Sequence, residues 1–148
     1  MNASVVVVDA SLATKWLVNE EGTGTAIALL ERWADRETII AAPPLLPIEV
    51  TNALYKRVRR AELTIPDAVT LLRQLLELGI ALRSTEVLHQ SALEWAAHLG
   101  LPATYDLYYL ALADSLGCEF WTADERLYNT VKERVAWVHY LNETTGKA

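Results

Sequence analysis

At 148 residues, 52% of them hydrophobic, the chain is long enough to bury a core of its own and short for two, so one domain over 1–148 is expected. The 13 Lys+Arg against 19 Asp+Glu leave a net charge of −6, which excludes a uniformly basic nucleic-acid-coating protein but not a local basic patch. A single cysteine, Cys118, excludes a disulfide scaffold and a Cys-rich zinc site.

The opening run Val5-Val6-Val7-Val8 is β-branched and apolar at every position, the pattern of a strand buried on both faces of a parallel sheet. Asp9 ends it. Ser11, whose hydroxyl can accept from an orphan amide, is the expected N-cap of a short helix through Leu17. A second helix is expected after Gly22 and Gly24, with Ile27, Leu30 and Ala34 at helical spacing, then a short strand over 38–41. Pro43, Pro44 and Pro47 lead into a long helix over 48–61, because proline is tolerated where a first-turn amide has no partner. Val50, Leu54 and Val58 recur along it every four residues.

The next helix opens at Thr64 or Pro66, is expected to bury Val69, Leu72, Leu75 and Leu76, and stops at Gly79. A minimal strand over 80–82 follows. Leu88, Ala92, Trp95, Ala96 and Leu99 mark a helix closed by Gly100, and a nearly all-apolar helix runs over 105–116 to Gly117. A strand over 119–121, a helix over 124–134 and a last strand over 135–138 complete the pattern, and only the tail after about Asn142 reads as frayed. No apolar run approaches the ~20 residues of a membrane span. The N-terminus lacks the basic opening of a secretory signal, so a cytoplasmic protein with no membrane partner is expected.

Strands alternating with helices predict an α/β fold of three layers, a mostly parallel twisted sheet with helices on both faces. In such sheets ligands bind outside the carboxyl ends of the strands. Asp9 stands at the end of the first strand, and Glu49 is expected in the first turn of the helix leaving the second strand. Asp106 opens the helix before the 119–121 strand, and Asp124 directly follows that strand. A helix running away from an edge and a strand running back bring both of its ends together, so all four acids converge at one edge.

Each acid also has a plainer reading. Carboxylates near helix starts are favoured by capping and the helix dipole, a matter of ~0.3–1 kcal/mol. Thr122 and Glu125 fit a capping box and need no catalytic role on that ground. Convergence argues the other way. Two carboxylates ~4 Å apart repel by about 4 kcal/mol at an effective dielectric of ~20, so three or four together call for protons or a cation. Oxygen-only ligands select hard ions such as Mg²⁺ or Mn²⁺ over zinc, and such an ion is suited to activating water and stabilising a phosphodiester's leaving oxygen.

Four stretches then carry a resemblance: Val7-Val8-Asp9-Ala10-Ser11, Pro47-Ile48-Glu49-Val50-Thr51-Asn52-Ala53-Leu54, Tyr105-Asp106-Leu107-Tyr108-Tyr109-Leu110-Ala111-Leu112-Ala113 and Trp121-Thr122-Ala123-Asp124. Together they resemble the four motifs of PIN-domain nucleases, and the length and layout are similar to VapC-type toxins of bacterial toxin–antitoxin pairs. The resemblance runs from Val5 to about Val138. It implies a metal-dependent ribonuclease on a Rossmann-like sheet, with Asp9, Glu49, Asp106 and Asp124 as its acidic quartet. It implies assisting roles for the Ser11 and Thr122 hydroxyls, and for Asn52 in steadying the Glu49 helix. It also implies a homodimer and a small antitoxin partner.

Lys56, Arg57, Arg59 and Arg60 form the densest basic run, and positions 49, 52, 56 and 60 share one helix face. Lys56, Arg57 and Arg60 are therefore candidates for holding RNA phosphates or an antitoxin's acids, against the alternative of a solvated face near a helix C-terminus. His89, His98 and His139 lack metal-ligand spacing, and the five tryptophans and the tyrosines at 105, 108 and 109 read as packing. Two rival functions remain at this stage: an aspartate-based phosphotransfer domain and a non-catalytic interaction module. A two-aspartate phosphatase would carry an acid where Ser11 stands, and a receiver would carry an acidic pair before its acceptor, which is absent.

Overall fold

The computed structural model describes residues 4–142, and the tail expected to fray after residue 142 lies outside the described residues. Five strands, β1 (Val5–Val8), β2 (Ile39–Ala42), β3 (Ala81–Leu82), β4 (Glu119–Thr122) and β5 (Val138–Tyr140), form one sheet in the order β3-β2-β1-β4-β5. Every pairing is parallel. The helices between them are α1 (Ala10–Leu17), α2 (Thr23–Asp35), α3 (Leu45–Arg59), α4 (Ile65–Glu77), α5 (Glu86–Leu99), α6 (Tyr105–Leu116) and α7 (Glu125–Val131).

The valine run does what its composition demands. Val6 and Val8 pack with Leu12, Ala26, Leu29 and Trp33 on one side of the sheet. Val7 packs on the other with Val50, Leu54, Ala92, Tyr109 and Phe120. The result is the three-layer α/β/α arrangement predicted from the alternation of elements. The first three strands step outward from β1 in one direction, and β4 and β5 lie on its other side. The chain therefore reverses its winding between β1 and β4, the place where such sheets open a crevice at their carboxyl ends.

Several boundaries and faces differ from the sequence expectation. The side-chain N-cap of α1 is Asp9, which accepts from the Leu12 amide, not Ser11. In α2 the buried residues are Ala26, Leu29 and Trp33, a face one position round from Ile27 and Leu30. Helix α3 begins three residues early, because the Leu46 amide reaches the Pro43 carbonyl (3.0 Å), so Glu49 sits in its second turn. On α4, Val69 and Leu76 are 48% and 63% exposed rather than buried. That helix packs through Ala68, Leu71, Leu72 and Leu75 and turns its second apolar stripe outward. The last strand starts at Val138 rather than 135, because the Val135 amide is held by the Val131 carbonyl (3.0 Å) in the turn after α7. Gly100 and Gly117 end α5 and α6 as expected, with φ of 69° and 65° that favour glycine.

Candidate active site

The register Val8↔Trp121 sets Asp9, the residue after β1, beside Thr122, the last residue of β4. Asp9 is 4% exposed. Its Oδ1 accepts from the Ser11 hydroxyl (2.6 Å) and the Leu12 amide (3.1 Å), and its Oδ2 accepts from the Thr122 hydroxyl (2.5 Å). The same two hydroxyl oxygens accept backbone amides from the loop after β4: Ser11 from Ala123 (3.0 Å) and Thr122 from Asp124 (3.0 Å). Ser11 and Thr122 thus tie the ends of β1 and β4 to one carboxylate. Thr122 is not the start of a capping box, since Asp124 itself caps α7 through the Leu127 amide (3.1 Å).

Burial pushes the Asp9 carboxyl up to about 7, against the lowering effect of its three hydrogen-bond donors, and the charge on Asp106 pushes the same way. Asp106 is also raised, first by partial loss of solvation, then by the charges of Glu49 and Asp124. Asp106 therefore interacts with each of the other three acids, Asp9, Glu49 and Asp124. Burial outweighs mutual repulsion as the larger cause at both raised groups.

Glu49 is held by a residue that the sequence reading assigned to packing. The Tyr109 hydroxyl donates to Glu49 Oε1 at 2.5 Å. The Tyr109 ring is fully buried and stacked on Phe120, with centroids 6.1 Å apart and planes 9° apart. Burial, then the bond to Glu49, drive its hydroxyl well above the ordinary tyrosine range, so it stays a proton donor. One available signal was the spacing: Tyr109 lies three residues after Asp106, hence on the same helical face.

The donor set suits a hard divalent cation, being carboxylate and hydroxyl oxygen only, with raised carboxyls that positive charge would relieve. Among the described residues, no three His, Cys, Asp or Glu side chains are gathered closely enough to hold a metal ion together. The fit is one of donor chemistry and shared field.

A cleft of about 750 Å³ runs from this edge along α3. Its walls carry Ser11, Glu49 and Asn52, then Lys56, Arg57 and Arg60, with Tyr105 and Ala123, the chain neighbours of Asp106 and Asp124, also in the lining. The basic run therefore does face the cleft, but its members differ. Arg57 is ion-paired with Glu20 and with Glu62 (3.1 Å), and Arg60 with Glu62 (3.3 Å). Glu20 also takes Lys15 (3.2 Å). Lys56 has no ion pair among the described residues and is exposed. Lys15 and Glu20 were invisible in the sequence, since they sit at a helix end and in a loop with no motif around them.

Residues 6–133 match the family model for the PIN domain. The chain belongs to the PIN-domain family. All four acids fall within the matched span. This PIN domain is 30% identical over 126 residues to a VapC ribonuclease of Mycobacterium bovis, covering 85% of the chain and 91% of that relative. The figures are the same for ribonuclease VapC9 of Mycobacterium tuberculosis. Among solved structures, PAE2754 from Pyrobaculum aerophilum superposes with a TM-score of 0.60 at 25% identity, over 87% of each chain. VapC20 of Mycobacterium tuberculosis, described as a sarcin-ricin loop cleaving toxin, superposes with a TM-score of 0.61 at 20% identity. The match covers 79% of this chain and 86% of VapC20, and at that identity it speaks for the fold alone. No helix among the described residues is long and apolar enough to cross a membrane.

Proposed function

We propose that this PIN domain is a metal-dependent endoribonuclease, the toxin of a type II toxin–antitoxin pair, acting in the cytoplasm as a single-domain protein. The observation that carries the reading is Asp9: a buried carboxyl at the winding reversal of the sheet, held by two hydroxyls and an amide, with the charge of Asp106 acting on it. The names of the curated relatives, both ribonucleases, support it.

Asp9, Glu49, Asp106 and Asp124 would hold Mg²⁺ or Mn²⁺ directly or through water. When bound, the cation supplies activated water and charge neutralisation for phosphodiester hydrolysis. The chain's own residues do the rest. Ser11 and Thr122 fix the Asp9 carboxylate, Tyr109 fixes Glu49, and Asn52 lies on the wall one turn along α3. Lys56, with Arg57 and Arg60 once their acidic partners yield, draws the RNA backbone or an antitoxin's acids along the cleft. A homodimer is part of the reading, supported by the outward stripe of Ile65, Val69 and Leu76 on α4, 54%, 48% and 63% exposed.

The test is cleavage of cellular RNA by the purified chain, with RNA ends sequenced after digestion in Mn²⁺ or Mg²⁺, in chelator, and with Asp9→Asn. The expected result is discrete new ends with metal and wild type only. Undiminished cleavage in excess chelator, or by Asp9→Asn, would overturn the reading.

A further inference from the structure

A second cavity, of about 280 Å³, opens beside the cleft. Pro43 and Leu88, both buried, line its inner wall. Ile48 and Tyr105 line both this cavity and the cleft, so the two spaces are adjacent. These two side chains are 64% and 63% exposed, and each immediately precedes a site carboxylate in the chain, Glu49 and Asp106. Internal packing does not account for two large apolar groups left open to water at the mouth of an acidic site. A polar pair completes the lining. His89 Nδ1 and the Tyr108 hydroxyl are hydrogen-bonded at 2.8 Å, with their rings edge to face.

We propose that this cavity is a nucleobase subsite. It takes the base of one nucleotide flanking the scissile phosphate, stacks it on Tyr105, and reads its edge with the His89–Tyr108 pair. The inference rests on the ribonuclease reading and adds to it the place where sequence preference is set.

Three features select this occupant. The volume lies at the small end of ligand pockets, roughly 300–1,000 Å³, and suits one flat heterocycle rather than a longer segment. A nucleotide joins an anion to an apolar ring, and here a cleft with cationic walls joins a largely apolar pocket through shared residues. The polar pair suits a base better than an aliphatic side chain. In either histidine tautomer the bonded pair keeps one further donor and one further acceptor for a ligand. Those groups match the edge of a base, whereas an aliphatic group would cover them without partners. Stacking on an aromatic ring tolerates any base and contributes a factor of about 5 to 150 in binding.

The experiment is a double-mutant cycle between protein and RNA, on the full chain. A short labelled single-stranded RNA is scanned with one abasic position at a time, and binding is measured by anisotropy in chelator, where no cleavage occurs. Tyr105→Ala is expected to weaken binding by about 5- to 150-fold, and Tyr105→Phe to leave it near wild type. At one position the abasic loss in wild type should vanish in Tyr105→Ala. In metal, RNA-end sequencing should show the base preference at one nucleotide beside the cut flattened by Tyr105→Ala and altered by Tyr108→Phe.

If the abasic and Tyr105→Ala losses simply multiply at every position, the subsite is wrong even though the enzyme cuts RNA. If Tyr105→Ala instead weakens only the grip of a protein partner, the pocket is a protein site and the proposal falls. Wild type that binds RNA with the coupled pattern but never cuts it would overturn the ribonuclease reading and leave the base pocket standing. Wild type that binds no RNA at all overturns both.

Discussion

The acidic end of the cleft and its basic wall are built on opposite principles. At the acidic end, Asp9 is buried and held by three donors, and Tyr109 reaches Glu49 from inside the core. Along α3 the charges are partly or fully in water, and they neutralise one another in a chain from Lys15 through Glu20, Arg57 and Glu62 to Arg60. The first region is governed by desolvation and so answers to pH. The second is governed by screened Coulomb attraction and so answers to salt. Chemistry that needs fixed geometry is placed in the dry region, while attraction of a large polyanion needs only reach.

The largest effect that sharpens this contrast is at Asp9. Its folded carboxyl lies near 7 against an ordinary 3.8, so the stabilising contribution of the group is complete below 3.8 and is lost as pH rises through about 7. The difference of about three pH units corresponds to a loss on the order of 4 kcal/mol. Metal-free wild type should therefore lose stability between acid and mildly alkaline pH, while Asp9→Asn should lose much less and be inactive. Thermal melts across pH in chelator read this directly. Parallel pH profiles for the two proteins would remove the claim that burial strains Asp9.

Next comes Tyr109→Phe, which keeps the stacked ring and deletes only the donor to Glu49. Loss of an orienting partner behind a metal ligand costs about 10- to 100-fold in activity or metal affinity. The fold should lose no more than ~1.5 kcal/mol. Full activity would mean that Glu49 needs no such support.

Smaller again is the double variant Lys56→Ala with Arg60→Ala. Each phosphate contact steepens the log–log salt dependence of single-strand binding by about 0.7, so a slope shallower by roughly 1.4 is expected. Titrations of RNA at several salt concentrations measure it, and an unchanged slope would return both residues to a solvated face. The smallest change should follow Glu20→Gln, which releases Lys15 and leaves Arg57 with Glu62 as its acidic partner. Stability should move by no more than ~1 kcal/mol. RNA binding at low salt should tighten; weaker binding would mean that Glu20 positions Arg57 for the backbone rather than competing with it.

The same contrast explains what could be read from the sequence. The valine run, the glycine stops and the acids after β1 and β4 were legible because burial and helix termination impose residue types locally. The neighbourhood of Asp106 with Asp9 and Asp124 followed from topology. The α2 face and the start of β5 were misjudged because tertiary contacts, Trp33 in the core and the turn closed at Val135, overrode the local pattern. The role of Tyr109 was hidden for a different reason. A tyrosine in a nearly all-apolar helix looks like packing, and only the position of α3 against α6 supplies the acid that its hydroxyl meets. The Glu20–Arg57 pair joins a loop to a helix across the cleft wall, and no periodicity encodes it.

The hydrogen bonds around Asp9 also limit how it can bind anything else. A carboxylate has about four lone-pair directions. Ser11 and Leu12 take two at Oδ1, and Thr122 takes one at Oδ2. One direction remains, on Oδ2. Asp9 is thus restricted to monodentate ligation: it can offer a cation a single oxygen and cannot chelate it with both, so the remaining coordination must come from other acids and from water.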